Sequence, residues 1–145
     1  MKLKMSVVSV LLIMVLLFSM GSFLFAQEKK EQGNVFCIST YKVPFAKLDG
    51  FLSLWEKHVK PRVKQNEFIL SQRIFTHLYG PDWTVVVLKE YEDFAGIELS
   101  STRDKEIFKK LYPAKEERDE INLEFDNSFI GHTDAIVREV PKLRK

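Results

Sequence analysis

His77 is the residue best suited by type to move a proton near neutral pH, because imidazole alone among unperturbed side chains titrates there. It lies in the run Ile69 to Tyr91, read as Ile-Leu-Ser-Gln-Arg-Ile-Phe-Thr-His-Leu-Tyr-Gly-Pro-Asp-Trp-Thr-Val-Val-Val-Leu-Lys-Glu-Tyr. Gly80-Pro81-Asp82 is a turn signal, so the run reads as a β-hairpin. With a three-residue turn, Tyr79 faces Trp83, His77 faces Val85, Phe75 faces Val87 and Arg73 faces Lys89. Arg73, Phe75, His77, Tyr79, Trp83 and Lys89 then share one face. Ile74, Thr76, Leu78, Thr84, Val86 and Leu88 share the other, toward the helices. A slip of one residue reassigns these faces. The first set mixes aromatic area with polar tips. It suits a small aromatic or amphipathic ligand, with Arg73 or Lys89 toward an anionic group. His132 and Asp134 alternate on the last strand and could join the site. The same residues also admit a bland reading, in which Tyr79 and Trp83 form the rim of a subunit contact.

Other chemistries find less support. His58, His77 and His132 lie on three different elements without a cysteine partner or His-x-x-x-His spacing, so no metal site is expected. No Gly-x-Ser-x-Gly, P-loop or Gly-x-Gly-x-x-Gly sequence occurs, and no cofactor is expected. Cys37 is the lone cysteine. It sits in an apolar strand and reads as a small buried hydrophobe rather than a nucleophile.

Lys2 and Lys4, the apolar run Val7 to Phe18 and the Leu24-Phe25-Ala26 step before Gln27 form the three-part pattern of a secretory signal peptide. The apolar run is short of the roughly 20 residues that a bilayer span needs. Residues 1–26 are therefore expected to be cleaved, leaving an exported protein, periplasmic or extracellular, with no stable membrane anchor. The 145-residue chain carries 22 Lys+Arg against 20 Asp+Glu, and Lys2 and Lys4 account for the whole excess. A neutral remainder argues against a nucleic-acid partner. Residues 27–33 read as a disordered lead-in and 34–145 as one domain.

Val35 to Val43 reads as a first strand. Pro44 opens a helix whose Phe45, Leu48, Leu52, Trp55, Val59 and Val63 recur at helical spacing, with Pro61 kinking or ending it. On this helix Trp55 reads as core and His58 as a solvated or capping residue. Strands follow over Phe68 to Tyr79 and Trp83 to Tyr91. Asp93 caps a short helix, Phe94 to Leu99. Ser100-Ser101-Thr102 interrupts it, and Arg103 to Tyr112 resumes. Lys115 to Asn127 is a charged helix with Ile121 and Phe125 facing in, and Phe129 to Val140 is the last strand. The order is βαββαβ, an α+β ferredoxin-like arrangement with an antiparallel sheet. Right-handed crossovers put the helices on one face, with the first and third strands central. Those central strands are apolar on both faces, so the uncovered face needs a partner. A second copy of the sheet, giving a homodimer closed as an α/β barrel, is the economical cover.

The hairpin, the segment Trp55-Glu-Lys-His-Val-Lys-Pro61 and the element order together resemble the dimeric α/β-barrel superfamily. That group includes NIPSNAP-like, stress-responsive and antibiotic-biosynthesis monooxygenase-like proteins. The turn His77-Leu-Tyr79-Gly80 is similar to that of small exported bacterial proteins of uncharacterised function. The resemblance implies the fold and a homodimer with a cavity against the sheet. It leaves activity open, since the superfamily includes cofactor-independent oxygenases, haem-degrading enzymes, isomerases and pure binding proteins. The haem-degrading pattern of an Asn on the first strand with a Trp and a His is not matched in spacing by Asn34, Trp83 and His77, and no catalytic role is carried over. Two expectations follow. One is a binding protein for a small apolar or aromatic ligand. The other is a cofactor-independent monooxygenase or isomerase-like enzyme with His77 as general base.

Overall fold

A computed structural model describes residues 33–78 and 84–145. The expected signal peptide, most of the lead-in and the turn residues Tyr79 to Trp83 lie outside the described residues. Gly33–Lys145 forms one compact unit.

Four strands make the sheet: β1 Val35–Lys42, β2 Ser71–Thr76, β3 Val85–Tyr91 and β4 Gly131–Arg138. Their order is β2-β3-β1-β4, and every pairing is antiparallel. This is the ferredoxin-like α+β fold, with β1 and β3 central as their two apolar faces require. Thr84 ties the two central strands beyond the ladder. Its Oγ1 donates to Val43 O at 2.7 Å and accepts from Val43 N at 3.2 Å.

The first helical connection passes Pro61 instead of ending there. A 3₁₀ turn Phe45–Lys47 leads into α1 Leu48–Leu54, then a π turn Trp55–Val59, then α2 Lys60–Gln65. Pro61 has no N–H to return to the Lys57 carbonyl, and its ring crowds that oxygen. The wider π turn just before it accommodates both facts and keeps the backbone helical.

The second connection differs from its sequence reading. Phe94–Leu111 is one continuous helix, α3, with no break at Ser100-Ser101-Thr102. Asp93 caps it as expected, its Oδ1 accepting from Gly96 N at 2.8 Å. Ser100 is buried, and Asn66 Nδ2 donates to its carbonyl at 2.9 Å and its Oγ at 3.1 Å. A distant side chain thus satisfies the buried Ser100, while Ser101 and Thr102 are exposed. α4, Lys115–Asp126, follows with Ile121 buried.

The core lies on the helix side of the sheet. Phe51, Val85 and Val87 are its fully buried members, joined by Val43 and Trp55. Tyr41 is the aromatic hub. Its ring centroid lies 5.3 Å from Phe51 and from Phe129, 5.9 Å from Trp55 and 4.9 Å from His132, on which it stacks. Asn66 is the polar pin between the two helical connections, and its Oδ1 also accepts from Phe68 N at 3.2 Å. Asn66→Ala strips partners from buried groups on both sides and is expected to cost about 1–3 kcal/mol. Urea unfolding measures this, and a loss under about 0.5 kcal/mol would contradict the pin.

Candidate functional site

The β2–β3 register decides which side chains can meet. Ile74 pairs with Val87, Thr76 with Val85 and Gln72 with Lys89, and His77 N donates to Thr84 O at 2.8 Å. This is one residue away from the expected pairing. Arg73, Phe75 and His77 do point to the open face of the sheet, as read from the sequence. Lys89 does not join them. It follows Val85 and Val87 on β3 and so lies on the helix side, because alternate residues share a face. Through β1, His132 pairs with Tyr41 and Asp134 with Ser39, which puts His132 and Asp134 on the helix side as well. The expected single constellation is therefore two. Arg73, Phe75 and His77 lie outside, and Lys89, His132 and Asp134 lie beneath the helices. Tyr79 and Trp83 lie outside the described residues.

The helix side contains a cavity of ≈ 380 Å³. Its floor is Tyr41 and Lys89 from the sheet. Its walls are Trp55, His58 and Val59 of the π turn, Arg62 of α2, Asp104 of α3, and Ile121, Asn122, Phe125 and Asp126 of α4. The size falls in the range of about 300–1,000 Å³ that small-molecule sites occupy.

Arg62, Asp104 and His58 of the polar lining are committed to partners. Arg62 forms a two-pronged pair with Asp104, Nε to Oδ1 at 2.9 Å and Nη2 to Oδ2, and its guanidinium lies 4.2 Å over the Phe108 ring. His58 is buried rather than solvated, with Nδ1 2.9 Å from Tyr112 Oη. Burial lowers its pKa, so the ring is held neutral. Burial pushes the Tyr41 phenol up to about 12 and keeps it protonated.

Lys89, Asn122 and Asp126 are not paired in this way. Among the described residues no acceptor lies within hydrogen-bonding or ion-pair reach of the Lys89 ammonium. Burial is the largest influence on it and lowers its pKa, with Asp104, Cys37 and Asp134 pulling the other way. Toward β4 the floor continues as a polar chain. Ser39 Oγ donates to Asp134 Oδ1 at 2.5 Å, and Asp134 Oδ2 lies 3.1 Å from His132 Nε2. Cys37 Sγ is 4.0 Å from Ser39 Oγ, and burial raises its pKa, which keeps the thiol in the less nucleophilic form. Among the described residues no group of three or more His, Cys, Asp or Glu side chains is placed to hold a metal ion.

The open face carries Phe36, Ile38, Val86, Leu88, Phe75 and Val137. Phe75 is 50 % exposed and Val137 41 %. At one end Glu90 accepts from Ser71 Oγ at 2.5 Å and Asn34 Nδ2 at 2.6 Å, bonds that lower its pKa. Asn34 is thus held by Glu90 on the open face, away from the cavity.

Sequence reasoning missed the cavity residues Trp55, His58, Arg62 and Asp104. A signal was present: Trp55, His58, Val59 and Arg62 have the three- and four-residue spacing of one helix face.

Three solved structures illustrate the fold. An uncharacterised NIPSNAP domain protein from Burkholderia xenovorans superposes with a TM-score of 0.58 at 13% identity, covering 77% of this chain and 99% of its own. A candidate antibiotic biosynthesis monooxygenase from Caulobacter crescentus CB15 gives 0.53 at 14%, covering 75% and 92%. A dimeric ferredoxin-like protein of unknown function from Bacteroides fragilis NCTC 9343 gives 0.50 at 12%, covering 74% and 98%. No protein-family model matches the sequence, and no curated protein matches it. The chain shares the ferredoxin-like fold of NIPSNAP and antibiotic-biosynthesis monooxygenase-like proteins.

The half-buried Lys89 has a consequence for stability. The folded chain holds this proton less tightly than the unfolded chain. Between the lowered folded pKa and the ordinary 10.5, unfolding takes up a proton, so stability rises with pH through that window. Lys89→Met is expected to be more stable than the parent at neutral pH, with the gain shrinking as pH rises through that window. Urea unfolding across the window measures it, and a variant less stable than the parent at neutral pH would contradict it.

Proposed function

We propose that this chain is an exported homodimeric binding protein that holds a small apolar or aromatic molecule between its sheet and its helices. The observation that carries the reading is the cavity of ≈ 380 Å³, walled by Tyr41, Trp55 and Phe125. Aromatic walls give a ring both apolar contact and favourable edge-to-face geometry. The export part rests on the signal-peptide pattern of residues 1–26.

The homodimer rests on the open face. Phe36, Ile38, Val86 and Leu88 line its centre on the two middle strands. Among the described residues no helix covers them, and a second copy of the same sheet matches their shape and polarity. The Bacteroides fragilis protein of the same fold is described as dimeric. Phe75→Glu combined with Leu88→Glu is expected to convert a dimer into a folded monomer in analytical ultracentrifugation. A parent chain that sediments as a monomer at micromolar concentration would overturn the dimer.

The candidate monooxygenase among the neighbours favours a second reading, a cofactor-independent monooxygenase or isomerase-like enzyme with His77 as general base. In that reading the chemistry sits on the open face, where a partner sheet excludes water from Arg73, Phe75 and His77. His77→Ala separates the two. Binding in the cavity leaves ligand affinity within a few-fold of the parent, whereas catalysis through His77 predicts turnover that collapses while the dimer stays folded. Native mass spectrometry of the purified protein reads subunit number and any co-purifying molecule together.

A further inference from the structure

Lys89 lines the cavity floor and brings a primary amine to it. The residue is half-buried, and among the described residues no acceptor engages its nitrogen. The lining does hold carboxylates, but Asp104 is spent on Arg62 through both oxygens. Asp126 stands exposed at the end of α4. Burial is the largest influence on the amine and favours its neutral form. Arg62 acts in the same direction, while Asp104, Cys37 and Asp134 oppose it. A lysine that is partly desolvated and free of a counter-ion can offer its lone pair to an electrophilic carbon. The walls narrow the choice of electrophile. The Trp55 ring centroid lies 5.6 Å from that of Phe125 and 5.9 Å from that of Tyr41, an arrangement that suits a flat aromatic body. An anionic ligand would meet Asp104 and Asp126 in the same lining. A neutral carbonyl compound meets no such repulsion.

We propose that Lys89 forms an imine with an aromatic aldehyde held in this cavity, the aldehyde's ring lying against Tyr41, Trp55 and Phe125. The inference rests on the binding reading above and names the ligand class. The neutral amine's lone pair bonds to the carbonyl carbon while the C=O π pair moves to oxygen. Both amine hydrogens pass to that oxygen as protons, and it leaves as water as the C=N bond forms. The step needs no oxidant or reductant, and water reverses it.

The test incubates the purified protein with limiting benzaldehyde and sodium cyanoborohydride at neutral pH. The reductant fixes an imine as a stable benzylamine, which peptide mass spectrometry locates. Lys89 is expected to carry at least tenfold more label than Lys109 and Lys110, which are exposed on α3. Benzyl alcohol, the same ring without a carbonyl, should bind in calorimetry and reduce labelling of Lys89 at least threefold, leaving Lys109 unchanged. Lys89→Met should lose the adduct and bind benzyl alcohol within threefold of the parent. Label at Lys89 no greater than at Lys109 and Lys110, with benzyl alcohol still bound, overturns the imine and leaves the binding reading standing. Preferential label that benzyl alcohol does not protect also overturns it, since the amine then reacts outside an occupied cavity. Neither preferential label nor benzyl alcohol binding at millimolar concentration overturns both readings. The measurements on the parent decide the question, so a misfolded variant does not shield the proposal.

Discussion

Strand parity on β3 is the constraint on which the site depends. Val85 and Val87 are the two strand residues most completely removed from water, at 0 % and 1 % exposure, and they fix one face of β3 against α1 and the π turn. Burying two such side chains is worth about 1.5–3 kcal/mol each. Lys89 is the next residue with the same parity. Its ammonium is carried under the helices as a by-product of a hydrophobic commitment made nearer the turn. The alternative register would expose both valines to give one lysine a wetter place. The energies favour the observed arrangement.

The same comparison explains what could and could not be read from the sequence. Element order and central strands were legible because each depends on local spacing. The face of the first helix was legible only in part, since Phe51 is buried and Phe45 exposed. β3 register was not. Val85 to Leu88 is apolar at every position, so alternation gives no preference for either face, and only the turn could set it. Gly80-Pro81-Asp82 announces a turn without stating how many residues it uses. The continuity of α3 was hidden for a different reason. Ser100-Ser101-Thr102 is a poor helix segment by propensity, and the group that rescues it, Asn66, stands 34 positions away in the chain. His58 misled in the same way, since its partner Tyr112 belongs to another element. Local signals survived into the structure, and long-range polar satisfaction was invisible until the chain folded.

Polar groups beneath the helices fall into two regimes. Arg62 with Asp104, and His58 with Tyr112, are matched donor to acceptor and bridge helices that otherwise meet through apolar contacts. Such pairs add little net stability but fix geometry, because breaking one leaves a half-buried group unpaired. Lys89 and Gln72 Nε2 are not matched. A fold optimised for stability alone would replace them with apolar groups of similar size.

The π turn at Trp55–Val59 divides one continuous helix into two independently aimed surfaces. Before it, Phe51 packs into the core against the sheet. After it, Arg62 reaches across to α3. A π turn adds one residue to the turn count, and one residue of α-helix corresponds to about 100° of rotation. Chain length between Trp55 and Pro61 thus acts as an angular setting. Removing a single residue there would scarcely alter composition or hydropathy, yet it would swing α2 by about a quarter turn and carry the guanidinium off Asp104.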